Sequence, residues 1–281
     1  GSMLRLEDGC WRQAAGPRLV ASPEPWPDAG PGDPPGSYRA MAWRVLVPFV
    51  AGQPAGPLLE RLTDDPLDEW QPALAPDGVT LVVSRAASGR HSDLVVRDAC
   101  GNAHAASLPR PSADEVREEV PSFEPGGDAL VHGFVHRIDG RDAASIARVR
   151  TDGSGFEILR PATGDAGERP RRPSVSPDGR WLAYDADAGQ PTGPDVGEEI
   201  NREIYVVERA TGEARRLTDH PAHDKLPVFA ADNETLFFRS ERDGNSEIYR
   251  INVDGSDLVR ITGHPALDTW PSASPDGRTL V

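Results

Sequence analysis

A proline follows a threonine nine positions later three times in this chain: Thr63 to Pro72, Thr218 to Pro227 and Thr262 to Pro271. Superposed, the intervals bring Asp65 into line with His220 and His264, and Glu69 into line with Asp224 and Asp268. Glu118 stands at the corresponding place before Pro121, whereas Pro170 breaks the series before Pro173. Carboxylates gathered there with His220, His264 and nearby His223 would form a negative ring. Such a ring suits a cation, or the Lys, Arg or amino terminus of an inserted peptide. The alternative is structural: an Asp or Glu just before a proline accepts backbone N–H bonds and shapes the turn. A position that recurs with the repeat favours that second reading.

Other candidates are thinner. His132 and His136 in "HGFVH" are four apart, so a strand would put both on one face as a metal pair or as two packed histidines. The acidic stretch "DADAGQPTGPDVGEEINRE" (185–203) outgrows its counterpart "RSERDGNSE" (239–247), and its carboxylates lack the spacing of a twelve-residue calcium loop. Trp70 and Trp270 fall near matching junction sites, to line a mouth or to pack between sheets. No GxSxG, HExxH, P-loop or dinucleotide glycine pattern occurs. Cys10 and Cys100 stand alone, without a CxxC, and read as incidental thiols.

The elements that would carry these residues recur. "PALAPDGVTLVV" from Pro72, "PSFEPGGDALVH" from Pro121, "PSVSPDGRWLAY" from Pro173, "PVFAADNETLFF" from Pro227 and "PSASPDGRTLV" from Pro271 share one pattern, at spacings of 49, 52, 54 and 44 residues. Each unit predicts four short strands. The first surrounds the proline, and a turn such as Asp77-Gly78 or Asp178-Gly179 follows, built of residues that tolerate positive φ. The second is an apolar block such as "LVV" (81–83) or "LFF" (236–238), suited to burial on both faces. The third is "DLVV" (93–96), "SIARV" (145–149), "EIYVV" (203–207) or "EIYRI" (247–251), and the outer strand is "ARRLT" (214–218) or "LVRIT" (258–262). Such a sheet cannot bury both faces alone and must stand between two of its kind, which predicts a β-propeller.

The stretch from residue 212 to 281, with its "SPDG" turn, resembles the WD40-like repeat of the TolB-like β-propellers; the likeness extends to 61–98 and 171–184. The resemblance implies a bacterial-type propeller scaffold. Members include a periplasmic six-bladed protein that binds short peptide segments, and propellers that screen hydrolase domains. It implies no particular activity.

The last unit stops inside its second strand. "LRLEDG" (4–9) resembles "RINVDG" (250–255), so Leu4–Glu7 is expected to join 271–281 and close the ring. That makes 1–281 one all-β, six-bladed domain, with units near 10–63, 64–108, 109–160, 161–218, 219–262 and 263–281 plus 3–9. In the first unit, inner strands are joined across the Pro/Gly-rich stretch 22–37 to "MAWRVLV" (41–47) and "LLERLT" (58–63). The alternative is five blades with a Pro/Gly-rich N-terminal arm.

A net charge of −15 argues against nucleic acid and for a soluble protein. No apolar run reaches the roughly 18 residues of a membrane span. Gly1-Ser2 reads as a cloning remnant before Met3. If Met3 is the native start the protein is cytoplasmic; a removed leader would make it periplasmic or secreted. The expected function is non-catalytic binding of a protein or peptide segment by a monomer at the acidic channel mouth. No cofactor is expected, a divalent cation in the channel being the one candidate. The alternatives are an enzyme with a metal or acid–base site in that mouth, or a carbohydrate-binding propeller using Trp26 and Trp43.

Overall fold

The computed structural model describes the strands within residues 3–61, and residues 67–78, 80–86, 91–98, 117–138, 141–161, 169–187, 201–274, 277 and 279–281. Among these residues every regular element is a β-strand. The chain divides into two units, Gly1–Leu108 and Pro109–Val281, and the division falls on an expected repeat boundary.

The first unit holds β1 (Met3–Arg5), β2 (Trp11–Gln13), β3 (Arg18–Val20), β4 (Trp43–Leu46), β5 (Phe49–Val50), β6 (Gln53–Pro54), β7 (Leu58–Arg61), β8 (Glu69–Leu74), β9 (Thr80–Ala86) and β10 (Ser92–Asp98). β3 pairs with β4 across the Pro/Gly-rich stretch, and β4 pairs with β7, as expected. β8, β9 and β10 run antiparallel in chain order. β1 pairs with β2, Leu4 opposite Arg12. The expected closure of Leu4–Glu7 onto 271–281 is not among the described pairings. Instead Ser272 and Val281 exchange backbone hydrogen bonds of 2.8 and 2.9 Å, and Ala273 bridges Leu280.

The second unit repeats one design three times. β11 (Arg117–Phe123), β12 (Ala129–Ile138), β13 (Arg141–Arg150) and β14 (Glu157–Arg160) form one antiparallel sheet. β15 (Arg171–Val175), β16 (Trp181–Asp187), β17 (Arg202–Glu208) and β18 (Glu213–Arg216) form the next. β19 (Asp224–Phe229), β20 (Thr235–Ser240), β21 (Glu247–Asn252) and β22 (Val259–Arg260) form the third.

The turn chemistry explains the meander. Gly127, Gly179 and Asn233 adopt φ of 74°, 74° and 68° in the first turns, and Gly153, Gly212 and Gly255 adopt 86°, 73° and 88° in the second. The aspartate of the turn fixes it: Asp178 Oδ1 accepts the Arg180 N–H at 2.9 Å, and Asp232 Oδ1 accepts those of Glu234 and Thr235 at 2.9 and 2.8 Å. At Gly179 the neighbouring sheet also presses in, because a Cβ there would lie 3.2 Å from Pro125.

The apolar blocks are buried between sheets. On one side of the middle sheet, Leu182, Tyr184, Tyr205 and Val207 pack with Val131 and Ile146. On the other, Ala183, Ile204 and Val206 pack with Phe229, Leu236, Phe238 and Tyr249. Burying each large side chain contributes about 1.5–3 kcal/mol, so the middle sheet depends on both neighbours. Serines one residue past the anchor prolines link adjacent inner strands: Ser122 Oγ accepts the Val175 N–H at 3.2 Å, and Ser174 Oγ accepts that of Phe229 at 3.1 Å.

One regularity has no sequence marker. The residue before each anchor proline is left-handed: Gln71, Val120, Arg172, Leu226 and Trp270 have φ of 51°, 51°, 52°, 61° and 56°. The register of β8, β11, β15 and β19 shifts there as a bulge. Such a backbone is uncommon for residues other than glycine, and it persists where the surroundings over-determine it.

Candidate functional site

Charged side chains cluster at the N-terminal ends of the inner strands. In the second unit, Glu203 is fully buried at the start of β17. Its Oε2 accepts from the Thr218 hydroxyl, and its Oε1 accepts from the His220 backbone N–H at 2.8 Å and Asn201 Nδ2 at 3.1 Å. Asn201 also donates to the His220 carbonyl at 2.6 Å, and Thr218 Oγ1 accepts the Ile204 N–H at 3.0 Å. The same net recurs one sheet on: Glu247 accepts from the Thr262 hydroxyl at 2.7 Å, Arg260 at 2.8 Å and Asn245 at 3.3 Å, while Thr262 Oγ1 accepts the Ile248 N–H at 2.9 Å. These acids hold down the Thr-to-Pro loops. Burial, with the charge of Asp224 nearby, raises the Glu203 pKa despite its donors. The Thr262 hydroxyl and Arg260 lower that of Glu247, against desolvation. Thr218→Val is expected to cost about 1–3 kcal/mol, the usual penalty for stranding buried polar partners, as measured by urea denaturation.

The expected mouth residues take varied roles. In the first unit Glu69 is buried and its Oε1 receives Arg97 Nε at 3.0 Å; Asp65 lies outside the described residues. In the second, Asp224 is buried and its Oδ2 receives Arg242 Nη2 at 2.7 Å, leaving Oδ1 without a hydrogen bond. Glu118 is buried on β11, and Asp268 is half-buried, its N–H donating to the Ser246 carbonyl at 2.8 Å. All three histidines use Nδ1 to accept a backbone N–H: His220 from Ala222 at 3.1 Å, His223 from Arg202 at 3.2 Å and His264 from Ala266 at 3.0 Å. Trp70 is half-buried and Trp270 exposed.

His132 is fully buried, packed edge-on to Phe134 at 6.4 Å and close to Phe156. Its Nδ1 lies 3.1 Å from the Gly133 carbonyl, and Nε2 has no partner. Phe134 also stacks against His136, ring centres 5.2 Å apart. Among the described residues no three His, Cys, Asp or Glu side chains are placed to hold a metal ion. Cys10, Cys100, Trp26 and the centre of the long acidic stretch (188–200) lie outside the described residues.

A group that sequence reasoning missed sits where Pro170 interrupts the acid series. Asp185, fully buried on β16, accepts from Arg172 Nη1 at 2.9 Å, Arg202 Nε at 2.6 Å and the Leu226 N–H at 3.1 Å. Asp187 accepts from Arg202 Nη1 at 2.7 Å and from Arg169. Burial opposes ionisation of Asp185, but the charges of Arg202 and Arg172 and the Leu226 amide prevail and lower its pKa. The signal was present in the run "RPRRP" (169–173), opposite "DAD" (185–187).

A family model described as the TolB beta propeller domain matches residues 195–281. Among solved structures, a putative TolB from Agrobacterium tumefaciens aligns with a TM-score of 0.61 at 21% identity, covering 79% of this chain and 72% of that one. TolB from Acinetobacter baumannii aligns at 0.54 and 19% identity, over 72% of this chain and 46% of its own. An oligogalacturonate lyase in complex with manganese aligns at 0.51 and 16% identity, over 86% and 78%. No curated protein matches the chain in sequence. The strand order and these likenesses define an all-β, propeller-like fold. Over residues 195–281 the chain is similar to the TolB beta propeller domain.

Proposed function

We propose that this propeller is a non-catalytic binding module that takes a protein or peptide segment at the channel mouth, where the inner strands begin. The observation that carries this reading is the engagement of the charged groups there. Asp185 and Asp187 are bound to arginines, Asp224 to Arg242, and Glu203 and Glu247 to hydroxyl and amide donors. Groups held this way build a rigid, charged rim, which suits recognition of a segment by complementary charge. In this reading Glu118, His220, His223, Asp224, His264 and Asp268 of the second unit line the ligand's site. The TolB-like likeness favours the exported setting over the cytoplasmic one. No helix among the described residues is long and apolar enough to cross a membrane.

A second reading has one specific support. Asp224 keeps a buried, unpartnered Oδ1 near Glu203, whose pKa is raised, and the manganese-bound lyase shares the fold. A metal or acid–base site there would make the protein an enzyme. Two measurements decide. Panning a random peptide library on the intact protein is expected to enrich segments whose binding is lost on mutating the inner strand ends. A stoichiometric transition metal in chelator-free protein, with no enriched peptide, would overturn the binding reading.

A further inference from the structure

The inner strands change sign at one place. Two residues before the anchor proline, β11 carries Glu119, β15 carries Arg171 and β19 carries Lys225; β15 adds Arg172, with Arg169 just ahead. Arg172, Arg169 and Arg202 are occupied by Asp185 and Asp187. Arg171 is different. It is half-buried, its Nε is buried without an acceptor, and among the described residues no carboxylate pairs with it. Burial, then the charges of Arg202, Arg172 and Arg117, disfavour its charged form, with Glu119 acting the other way. Glu119 itself faces Arg117 at 3.8 Å. Among the described residues, Arg117, Arg169, Arg171, Arg172 and Arg202 gather here around Glu119, Asp185 and Asp187, in a chain whose net charge is −15.

A partly desolvated guanidinium among other cations is held at an electrostatic cost that an anion would offset. Its planar fork matches the two oxygens of a carboxylate, and the charge-assisted bonds that form are among the strongest available to a side chain. We propose that Arg171 is a carboxylate receptor, and that Arg117, Arg172 and Arg202 supply the positive field around it. The ligand is a terminal or side-chain carboxylate of the bound segment, so the inference rests on the segment-binding reading and names its chemistry. The expected acidic mouth would then be bipolar, with a cationic pocket at β15.

The test uses the whole chain and three fluorescein-labelled Gly-Ser hexapeptides: a free acid, its C-terminal amide, and an amide with two internal glutamates. Fluorescence polarisation is expected to show the free acid or the glutamate peptide binding at least tenfold tighter than the neutral amide. Whichever arm gains identifies the carboxylate source. Arg171→Gln is expected to remove that gain while keeping the wild-type Tm or raising it, and Arg171→Lys to retain part of it. Equal binding of all three peptides would overturn the receptor and leave segment binding standing. If no peptide binds, inorganic phosphate at fixed ionic strength separates the two claims. A Tm rise in wild type that Arg171→Gln abolishes supports the anion site while segment binding fails; no rise overturns the site as well.

Discussion

Asp185→Asn is expected to destabilise the protein by about 3–5 kcal/mol, the range for removing one partner of a buried ion group. The carboxylate is wholly inaccessible and is shared by Arg172 of β15, Arg202 of β17 and the Leu226 amide of β19. It therefore joins two sheets as well as two charges. Asparagine keeps the shape but not the charge, and its NH2 would face guanidinium donors. Urea denaturation at neutral pH measures the loss. For contrast, removing the exposed pair Arg180–Glu208, 2.8 Å apart, is expected to cost about 0–1 kcal/mol. The sign with pH follows from the lowered pKa. The stabilisation is fully present above the unfolded carboxyl value of about 3.9, and it disappears as pH falls through the lower folded value. Acid unfolding of Asp185→Asn should lack that component.

The second large effect comes from His132. Burial moves its pKa from 6.5 down to about 4, against the small upward pull of the Gly133 carbonyl. Above pH 6.5 the ring is neutral in both folded and unfolded chains and contributes no slope. Between 6.5 and about 4 the unfolded chain takes the proton first, so stability falls as pH falls. The full loss is about 3 kcal/mol, from roughly 1.4 kcal/mol per pKa unit. His132→Phe places an aromatic ring beside Phe134 and Phe156 and removes the titration. The difference in unfolding free energy between wild type and variant, measured at pH 7 and pH 4.5, is expected to change by about 2–3 kcal/mol. A difference that stays constant with pH would show that the ring is hydrated in the folded state.

The repeat was legible because turns and burial leave letters behind. Asp178-Gly179 and Asp254-Gly255 mark positive φ, and "LVV" (81–83) marks a strand covered on both faces, with all three residues at 0% exposure. The inner-strand bulge left none, since Gln71, Val120, Arg172, Leu226 and Trp270 share a backbone state but no chemistry. The acid before the proline was legible as a recurring position, yet its partners were not: Arg97 lies 28 residues from Glu69 and Arg242 lies 18 from Asp224. The Asn-x-Glu nets at Asn201–Glu203 and Asn245–Glu247 were readable in principle, because both spacings repeat beside "IY". Their role needed the fold, which brings Thr218 and Thr262 to them. Pro170 read as a gap in an acid series, whereas the arginines beside it form a centre of opposite sign. Long-range charge partners have no spacing rule.

Hydrogen–deuterium exchange of the intact protein, with and without a bound segment, most directly tests whether ligands are taken where the inner strands begin. Protection gained at residues 169–172 and 223–226 is the predicted result. Protection confined to the outer strands, Glu213–Arg216 and Val259–Arg260, would contradict it.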